Sequence, residues 1–150
     1  MFNIVLVEPE IPPNTGSVGR LCLATGAHLH LVGKLGFSLD DSQLKRAGLD
    51  YWHKVNVTRW ESLDALRAAH AGGRFFFLTT KATRAHWSES FRDGDFFVFG
   101  RETKGLPEPL LAANREHCLT IPMEADSTRS LNLSTSVAIV LYEALRQAAK

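Results

Sequence analysis

A short apolar run that ends in a glycine and a charged loop, at residues 96–107, most constrains how this chain can fold. Residues 96–99 are aromatic or β-branched, a pattern that predicts a short buried strand. The loop after it is closed by Pro107, which suits the first position of a helix. In open α/β sheets, ligands bind outside the carboxyl ends of strands. We therefore expect this loop to wall a binding site, where Gly100 lets a ligand approach and Glu102 supplies a carboxylate. Taken alone, the stretch also fits an ordinary strand-to-helix turn.

The rest of the chain alternates between short β-type runs and helical patterns. The pattern predicts strands at 2–7, 28–33, 55–57, 74–80, 96–99 and 119–121, and helices at 15–25, 40–47, 63–69, 107–113 and 135–147. Three consecutive phenylalanines at 75–77 indicate burial on both faces, as in a parallel sheet. The sequence therefore predicts one α/β domain over residues 1–150, with a mostly parallel sheet and helices on both faces.

The first predicted helix carries two glycines in its interior. Asn14 is a suitable N-cap and Gly26 a suitable stop. Gly16 and Gly19 each cost roughly 1 kcal/mol relative to alanine inside a helix. We therefore expect another surface, either a partner or a ligand, to approach the helix backbone there. Arg20 lies one turn beyond Gly16, beside this bare patch.

The last predicted helix is apolar on nearly its whole circumference. Val137, Val140 and Leu141 mark one face, while Ile139 and Tyr142 make the opposite face apolar as well. A helix of this kind is buried on both sides. Because a domain of 150 residues can cover only one side with its sheet, we expect a second copy of the chain to cover the other.

Composition and charge exclude several classes of protein. The chain is 45% hydrophobic and 22% charged, without an apolar run near the ~20 residues that span a bilayer. No signal peptide is recognisable at the start, so we expect a cytoplasmic protein without a membrane partner. Cys22, Cys118 and the scattered histidines lack metal-ligand spacing, so we expect buried free thiols and no metal. The net charge of +1 means that any affinity for RNA must come from local patches or from a dimer.

Three strand-end loops are candidates for a common site. They begin at Leu78, Gly100 and Ile121, and would converge if their strands are neighbours in the sheet. Backbone groups and apolar walls at such a place suit a planar heterocycle such as adenine. The chain has no G-x-G-x-x-G after its first strand and no G-x-x-x-x-G-K-[ST] motif, which disfavours a Rossmann dinucleotide site or a P-loop.

Three motifs together resemble those of the SPOUT-superfamily RNA 2′-O-ribose methyltransferases. They are Asn14-x-Gly16-x-x-x-Arg20, Phe99-Gly100-x-Glu102-x-x-Gly105-Leu106, and Ile121-Pro122-Met123 with residues 129–134 (RSLNLS). Their order and spacing agree with the family, and the resemblance covers essentially the whole chain. With its opening EPEIPPNTG, the chain is most similar to the small tRNA wobble-position (cytidine/uridine-2′-O)-methyltransferases.

The resemblance implies a fold, a reaction and a set of site residues. The C-terminal half would form a trefoil knot (the SPOUT or α/β-knot fold), S-adenosylmethionine would be the cofactor, and the protein would be a homodimer acting on the tRNA anticodon loop. Arg20 would serve the reacting ribose across the dimer interface, Asn14 would shape its loop, and Glu102 and Asn132 would organise the pocket. The residues implied to hold the cofactor, largely through backbone, are Leu78, Thr79, Gly100, Ile121, Met123, Ser130 and Leu131.

The implied activity is methyl transfer to the ribose 2′-oxygen of the wobble nucleotide, position 34, a cytidine or modified uridine. Because a guanidinium is a poor base, we interpret Arg20 as a stabiliser of phosphate or alkoxide charge. Arg101 departs from the family, in which that position is often small, neutral or proline. Two alternatives stay open: methylation of another tRNA or rRNA ribose, and a non-catalytic RNA-binding dimer.

Overall fold

A computed structural model describes residues 1–47 and 51–149. The described strands are β1 Asn3–Val7, β2 His28–Val32, β3 Val57–Trp60, β4 Phe75–Leu78, β5 Phe96–Phe99 and β6 Cys118–Leu119. The described α-helices are α1 Pro12–Thr25, α2 Ser42–Ala47, α3 Leu63–Ala69, α4 Glu108–Ala113 and α5 Leu133–Ala148. Short 3₁₀ turns lie at Trp52–Lys54, His86–Ser88 and Arg115–His117. The end of the second helix, which the sequence predicts at Gly48, lies outside the described residues.

The six strands form one sheet in the order β3-β2-β1-β5-β4-β6, and every pairing is parallel. One face of the sheet packs against α1 and α5, and the other against α3 and α4. The predicted α/β fold with helices on both faces is therefore confirmed. In the part of the chain that the structure describes, no helix is long and apolar enough to cross a membrane.

The neighbouring strands β4 and β5 are buried on both faces, as the phenylalanine runs predict. Phe75 and Phe96 stack across the pair with ring centroids 4.3 Å apart. The predicted strand at 55–57 starts two residues too early and ends three too early. It starts too early because the Trp52–Lys54 turn holds the Val55 amide against the Trp52 carbonyl at 3.0 Å. Pairing with β2 therefore begins only at Val57.

The start of α1 also differs from the sequence prediction. Pro12 and Pro13 form its first positions and Ile11 is the N-cap, so Asn14 lies inside the first turn. Proline suits these positions, because its φ is already helical and the first amides of a helix have no partner within the helix. The predicted stop is confirmed at Gly26, whose φ of 74° is left-handed. Pro107, which the sequence predicts as the first residue of the fourth helix, is instead its N-cap, because α4 begins at Glu108.

The two glycines inside α1 serve packing within the chain. A Cβ at Gly16 would lie 2.1 Å from the Leu44 carbonyl oxygen of α2, and one at Gly19 would lie 2.5 Å from the Trp52 ring. The expectation that a ligand or a partner molecule approaches this helix is therefore wrong for these positions. The approaching surface is the segment between β2 and β3.

A buried histidine lies near the edge of the sheet. His30 on β2 is fully buried, with its Nε2 2.9 Å from the Asn3 Oδ1. The Trp60 Nε1 donates to the other ring nitrogen of His30 at 3.0 Å. The ring is therefore neutral and carries its proton on Nε2. Burial, with His28 and His70 nearby, lowers the pKa of His30 to about 3.

This histidine should make the fold sensitive to acid. Below about pH 6.5 the unfolded chain binds a proton at residue 30 that the folded chain excludes, so stability falls as the pH falls toward 3. At pH 5 the expected loss is about 2 kcal/mol. Urea unfolding at pH 7.5 and 5.0 measures it. His30→Gln should lower the free energy of unfolding at pH 7.5 and reduce its change between pH 7.5 and 5.0. His53→Gln, at an exposed turn, is the control and should leave that change as it is in the wild type. An unchanged dependence in His30→Gln would contradict the assignment.

Candidate functional site

A cleft of about 650 Å³ opens at the carboxyl ends of β5, β4 and β6. Its walls are the loops that follow β4, β5 and β6, together with the N-terminal ends of α1 and α5. The three strand-end loops therefore meet at one place, as the sequence predicts. They meet because β4 lies between β5 and β6 in an all-parallel sheet, which sends all three carboxyl ends to the same edge.

The residues predicted to hold a cofactor all line this cleft. They come from the end of β4, the loop after β5, and the segment between β6 and α5: Leu78, Thr79, Gly100, Ile121, Met123, Ser130 and Leu131. Leucine and isoleucine side chains give apolar walls, while the strand ends present backbone groups. The cleft is large enough for a nucleoside-sized ligand. No group of three His, Cys, Asp or Glu side chains within residues 1–47 and 51–149 is placed to hold a metal ion.

Gly100 is required by the chain itself, whether or not a ligand also approaches it as the sequence predicts. A Cβ at this position would lie 2.1 Å from the Gly105 carbonyl carbon and 2.3 Å from the Leu106 nitrogen. The loop after β5 turns back across Gly100, and the Gly105 amide donates to the Arg101 carbonyl at 2.8 Å. The glycine therefore permits the tight loop that carries Glu102 into the cleft.

Within the described residues, the hydrogen bonds to Glu102 come from the groups that lead into and begin α1. Its Oε1 accepts from the Glu10 amide at 2.9 Å, and its Oε2 accepts from the Ile11 amide at 2.8 Å. The Asn14 Nδ2 lies 3.3 Å from the same Oε2. The amides at the start of a helix lack partners within it, and a negative charge is favourable there. Glu102 therefore pairs the two amides that lead into α1, whose first two positions, Pro12 and Pro13, have no N–H to pair.

Asn132 continues this network to the second helix at the cleft. Its Nδ2 donates to the Asn14 Oδ1 at 3.0 Å, and its Oδ1 accepts from the Ser134 and Thr135 amides at 2.9 and 3.3 Å. Asn132 is thus the N-cap of α5. Glu102, Asn14 and Asn132 form one connected chain of hydrogen bonds. This arrangement suits residues that organise a pocket, as predicted for Glu102 and Asn132.

Two further contacts join the loops at 8–14 and 100–105. Arg101 donates to the Glu8 Oε1 at 2.8 Å, which raises the pKa of Arg101. The Thr103 hydroxyl donates to the Glu10 Oε1 at 2.8 Å, and the Thr103 amide donates to the same oxygen at 3.2 Å. These two hydrogen bonds lower the pKa of Glu10. Neither contact was predicted from the sequence. Their only local sign is the pair of glutamates, Glu8 and Glu10, spaced to project beside a proline-rich loop.

Arg20 lies away from this network. It is exposed on α1 and does not line the cleft of its own chain. Arg20 lies six positions beyond Asn14 in the helix, which is roughly 9 Å along the axis. Of the four residues predicted as catalytic, the structure brings together Asn14, Glu102 and Asn132, while Arg20 points elsewhere on the surface of the chain.

The Glu102 network predicts a loss of stability when one of its oxygens is changed. Glu102→Gln keeps the shape but places an amide nitrogen against a backbone N–H, so we expect a loss of about 1–3 kcal/mol in unfolding free energy. Chemical denaturation measures it. Glu116→Gln is the matched control, because Glu116 is exposed and makes no hydrogen bond or ion pair among the described residues. Equal stability of the two variants would show that the network contributes nothing.

Comparison with known proteins gives a consistent result. The SpoU rRNA Methylase family matches residues 1–142. The chain is 55% identical over 148 residues to the tRNA (cytidine(34)-2′-O)-methyltransferase of Methylovorus glucosotrophus, covering 98% of this chain and 96% of that protein. A solved structure reported as "Structural insights into the 2-OH methylation of C/U34 on tRNA" is 44% identical, with a TM-score of 0.92, covering 99% of this chain and 96% of that one.

A more distant solved structure contains a ligand. It is the SpoU methyltransferase AviRb from Streptomyces viridochromogenes in complex with the cofactor AdoMet. It is 25% identical with a TM-score of 0.83, and the match covers 97% of this chain and 60% of that one. The similarity to these proteins extends over the sheet, the cleft loops and α5.

Proposed function

Because the chain belongs to the SpoU rRNA methylase family, we propose that it transfers the methyl group of S-adenosylmethionine to the ribose 2′-oxygen of the wobble nucleotide, position 34, in a tRNA anticodon loop. One observation carries the proposal. A chain about half identical to proteins named for this reaction places every residue implied to hold the cofactor around a single cleft. The wobble nucleotide also suits the cleft, because a loop nucleotide can leave its stack at lower cost than one in a helix.

The lining of the cleft fits S-adenosylmethionine. Leu78, Ile121 and Leu131 give apolar walls for the adenine ring, and the polar groups of Thr79 and Ser130 lie beside them. The Thr79 and Thr120 amides are bonded within the chain, to the Leu119 and Arg84 carbonyls, so the edge of the ring would pair with backbone groups further along these loops. When bound, the cofactor supplies a sulfonium methyl group that the ribose oxygen can attack.

The residues of the chain then have to position the ribose and manage the loss of its proton. Glu102, Asn14 and Asn132 fix the two helix ends that border the cleft, so they act by holding its shape. We assign Arg20 of a second protomer to the ribose, where its charge stabilises the developing alkoxide or the adjacent phosphate. The proton leaves late or to water, since the guanidinium is not a base at neutral pH.

We propose that the protein is a homodimer formed by α1 and α5. Tyr142 on α5 is 54% exposed and Leu23 on the neighbouring α1 is 38% exposed, while Ile139 is half-buried. These side chains leave apolar surface on both helices that a partner would cover, and Arg20 lies one turn before Leu23 on α1. Sedimentation at micromolar concentration should give twice the 16.6 kDa mass of the chain. A species of 16.6 kDa alone would refute the dimer, and Tyr142→Glu should produce that species.

We also propose that the C-terminal half is knotted, as the family resemblance implies. The course of the chain supports this. After β6, at the edge of the sheet, it returns across the cleft past Ser130, and α5 begins beside Asn14 at the sheet centre. An experimental structure that traces residues 75–149 tests it. Since the proposed substrate is tRNA, we place the enzyme in the cytoplasm, which cell fractionation can check.

Transfer of a tritiated methyl group to tRNA, followed by mapping of the product nucleotide, tests the proposed reaction. We expect a 2′-O-methylated nucleotide at position 34. Methylation of another tRNA or rRNA ribose would support the first alternative instead. RNA binding without any transfer would support a non-catalytic RNA-binding dimer. Methylation confined to a base would refute ribose chemistry.

A further inference from the structure

We infer that a second cavity beside the cleft is a subsite for an RNA phosphate next to the methylated nucleotide. This inference rests on the proposed function. The cavity has a volume of about 420 Å³, and Thr79, Lys81 and Leu111 line both it and the cleft. When the ribose of one nucleotide occupies the cleft, the next nucleotide of the RNA strand is therefore within reach of the cavity. A cavity of this size accommodates part of a nucleotide.

Three basic side chains line the cavity: Lys81, Arg84 and Arg115. Lys81 is paired with Glu108, and Arg84 with Glu89, both at the protein surface. Arg115 is exposed and forms no ion pair within the described part of the chain. Its guanidinium is therefore available to a phosphate, which it can bind in a bidentate manner.

The backbone around these cations is held in place. The Thr120 amide donates to the Arg84 carbonyl at 2.8 Å, which ties the segment carrying Arg84 to the end of β6. Asn114 lies directly before Arg115. The Arg67 guanidinium donates to the Asn114 Oδ1 at 3.3 Å, and the Asn114 Nδ2 donates to the Leu110 carbonyl at 2.8 Å. Arg84 and Arg115 thus project from fixed positions, which reduces the entropy lost when they bind a ligand.

The charge balance indicates the kind of ligand. Glu108 and Glu116 also line the cavity and Glu89 pairs with Arg84, so three acidic groups offset the three basic ones, and Arg115 is the cation left without an ion pair in the described part of the chain. This balance leaves no net positive charge that would concentrate a free anion. It suits a single phosphodiester that is delivered by a longer RNA already bound at the cleft, because the local concentration of a tethered group is high.

Arg115→Gln is the most direct test, because it breaks no ion pair. We expect the dissociation constant for tRNA to rise about 5–10-fold, and the slope of log binding constant against log salt to decrease by about 0.7. Affinity for S-adenosylmethionine should be unchanged. Arg84→Gln should act in the same direction. Arg59→Gln is the matched control, since Arg59 lies on β3 at the opposite edge of the sheet from β6.

Replacing one charged phosphate of the RNA by a neutral one distinguishes this subsite from non-specific electrostatic attraction. Anticodon stem-loops with one methylphosphonate on either side of nucleotide 34 should bind the wild type more weakly. For one of them, Arg115→Gln should cause no further loss, because the charge it contacts is already absent. Equal losses on all stem-loops, or an Arg115→Gln variant that matches Arg59→Gln, would refute the subsite.

The two proposals fail in different ways. Methyl transfer to nucleotide 34 by an Arg115→Gln variant with wild-type tRNA affinity would refute the subsite alone. Absence of methyl transfer by the wild type would refute the proposed function, and the subsite would fall with it.

Discussion

Replacing Arg20 by alanine should reduce methyl transfer about a hundredfold or more, while binding of S-adenosylmethionine stays at its wild-type level. The residue is exposed on α1 and outside the cleft of its own chain, so its loss should not disturb the cofactor. Single-turnover transfer measures the first quantity and calorimetry the second. Arg20→Lys should recover part of the rate, because it keeps the charge but loses the planar fork.

Mixed dimers decide whether Arg20 acts across the interface. Arg20→Ala and Leu131→Arg should each be inactive as homodimers, the second because a charge fills the cleft. A heterodimer of the two contains one complete site if Arg20 serves the partner. Coexpression should therefore restore about a quarter of the wild-type activity. No recovery, with heterodimers demonstrated, would mean that Arg20 acts within its own chain or not at all.

Replacing Gly100 by alanine should destabilise the protein and remove cofactor binding together. The new Cβ would lie 2.1 Å from the Gly105 carbonyl carbon, so the loop that carries Glu102 has to move. We expect a loss of about 3 kcal/mol in unfolding free energy, with a corresponding loss of binding. Gly100→Val should be worse, and cannot be expected to leave the fold intact. Denaturation and calorimetry measure the two effects.

Gly72→Ala is the control for this glycine. It lies in an exposed turn and its Cβ would meet no atom within 4 Å, so stability should change by less than about 0.5 kcal/mol. If Gly100→Ala kept wild-type stability and lost only the cofactor, the glycine would serve ligand approach, as the sequence suggests. Wild-type stability and affinity together would refute both explanations.

The sequence by itself determined the elements and their class. The phenylalanine runs of β4 and β5 are visible as local patterns, because a strand buried on both faces has to be apolar at successive positions. The three motifs likewise located the cleft loops, since the carboxyl ends of neighbouring parallel strands share an edge. Boundaries set by turns, such as the start of β3, were less well predicted.

Only the tertiary structure decided what the singled-out residues contact. Gly16 and Gly19 are visible as costly residues in a helix, but their packing against Leu44 and Trp52 depends on a segment about 30 residues away. The carboxylate of Glu102 binds amides about 90 residues earlier in the chain. A local sequence pattern indicates that a residue is unusual for its helix or strand, because propensity and periodicity depend on residues within one or two turns. The partner is chosen by the folding of distant segments onto one sheet edge, which no local pattern records.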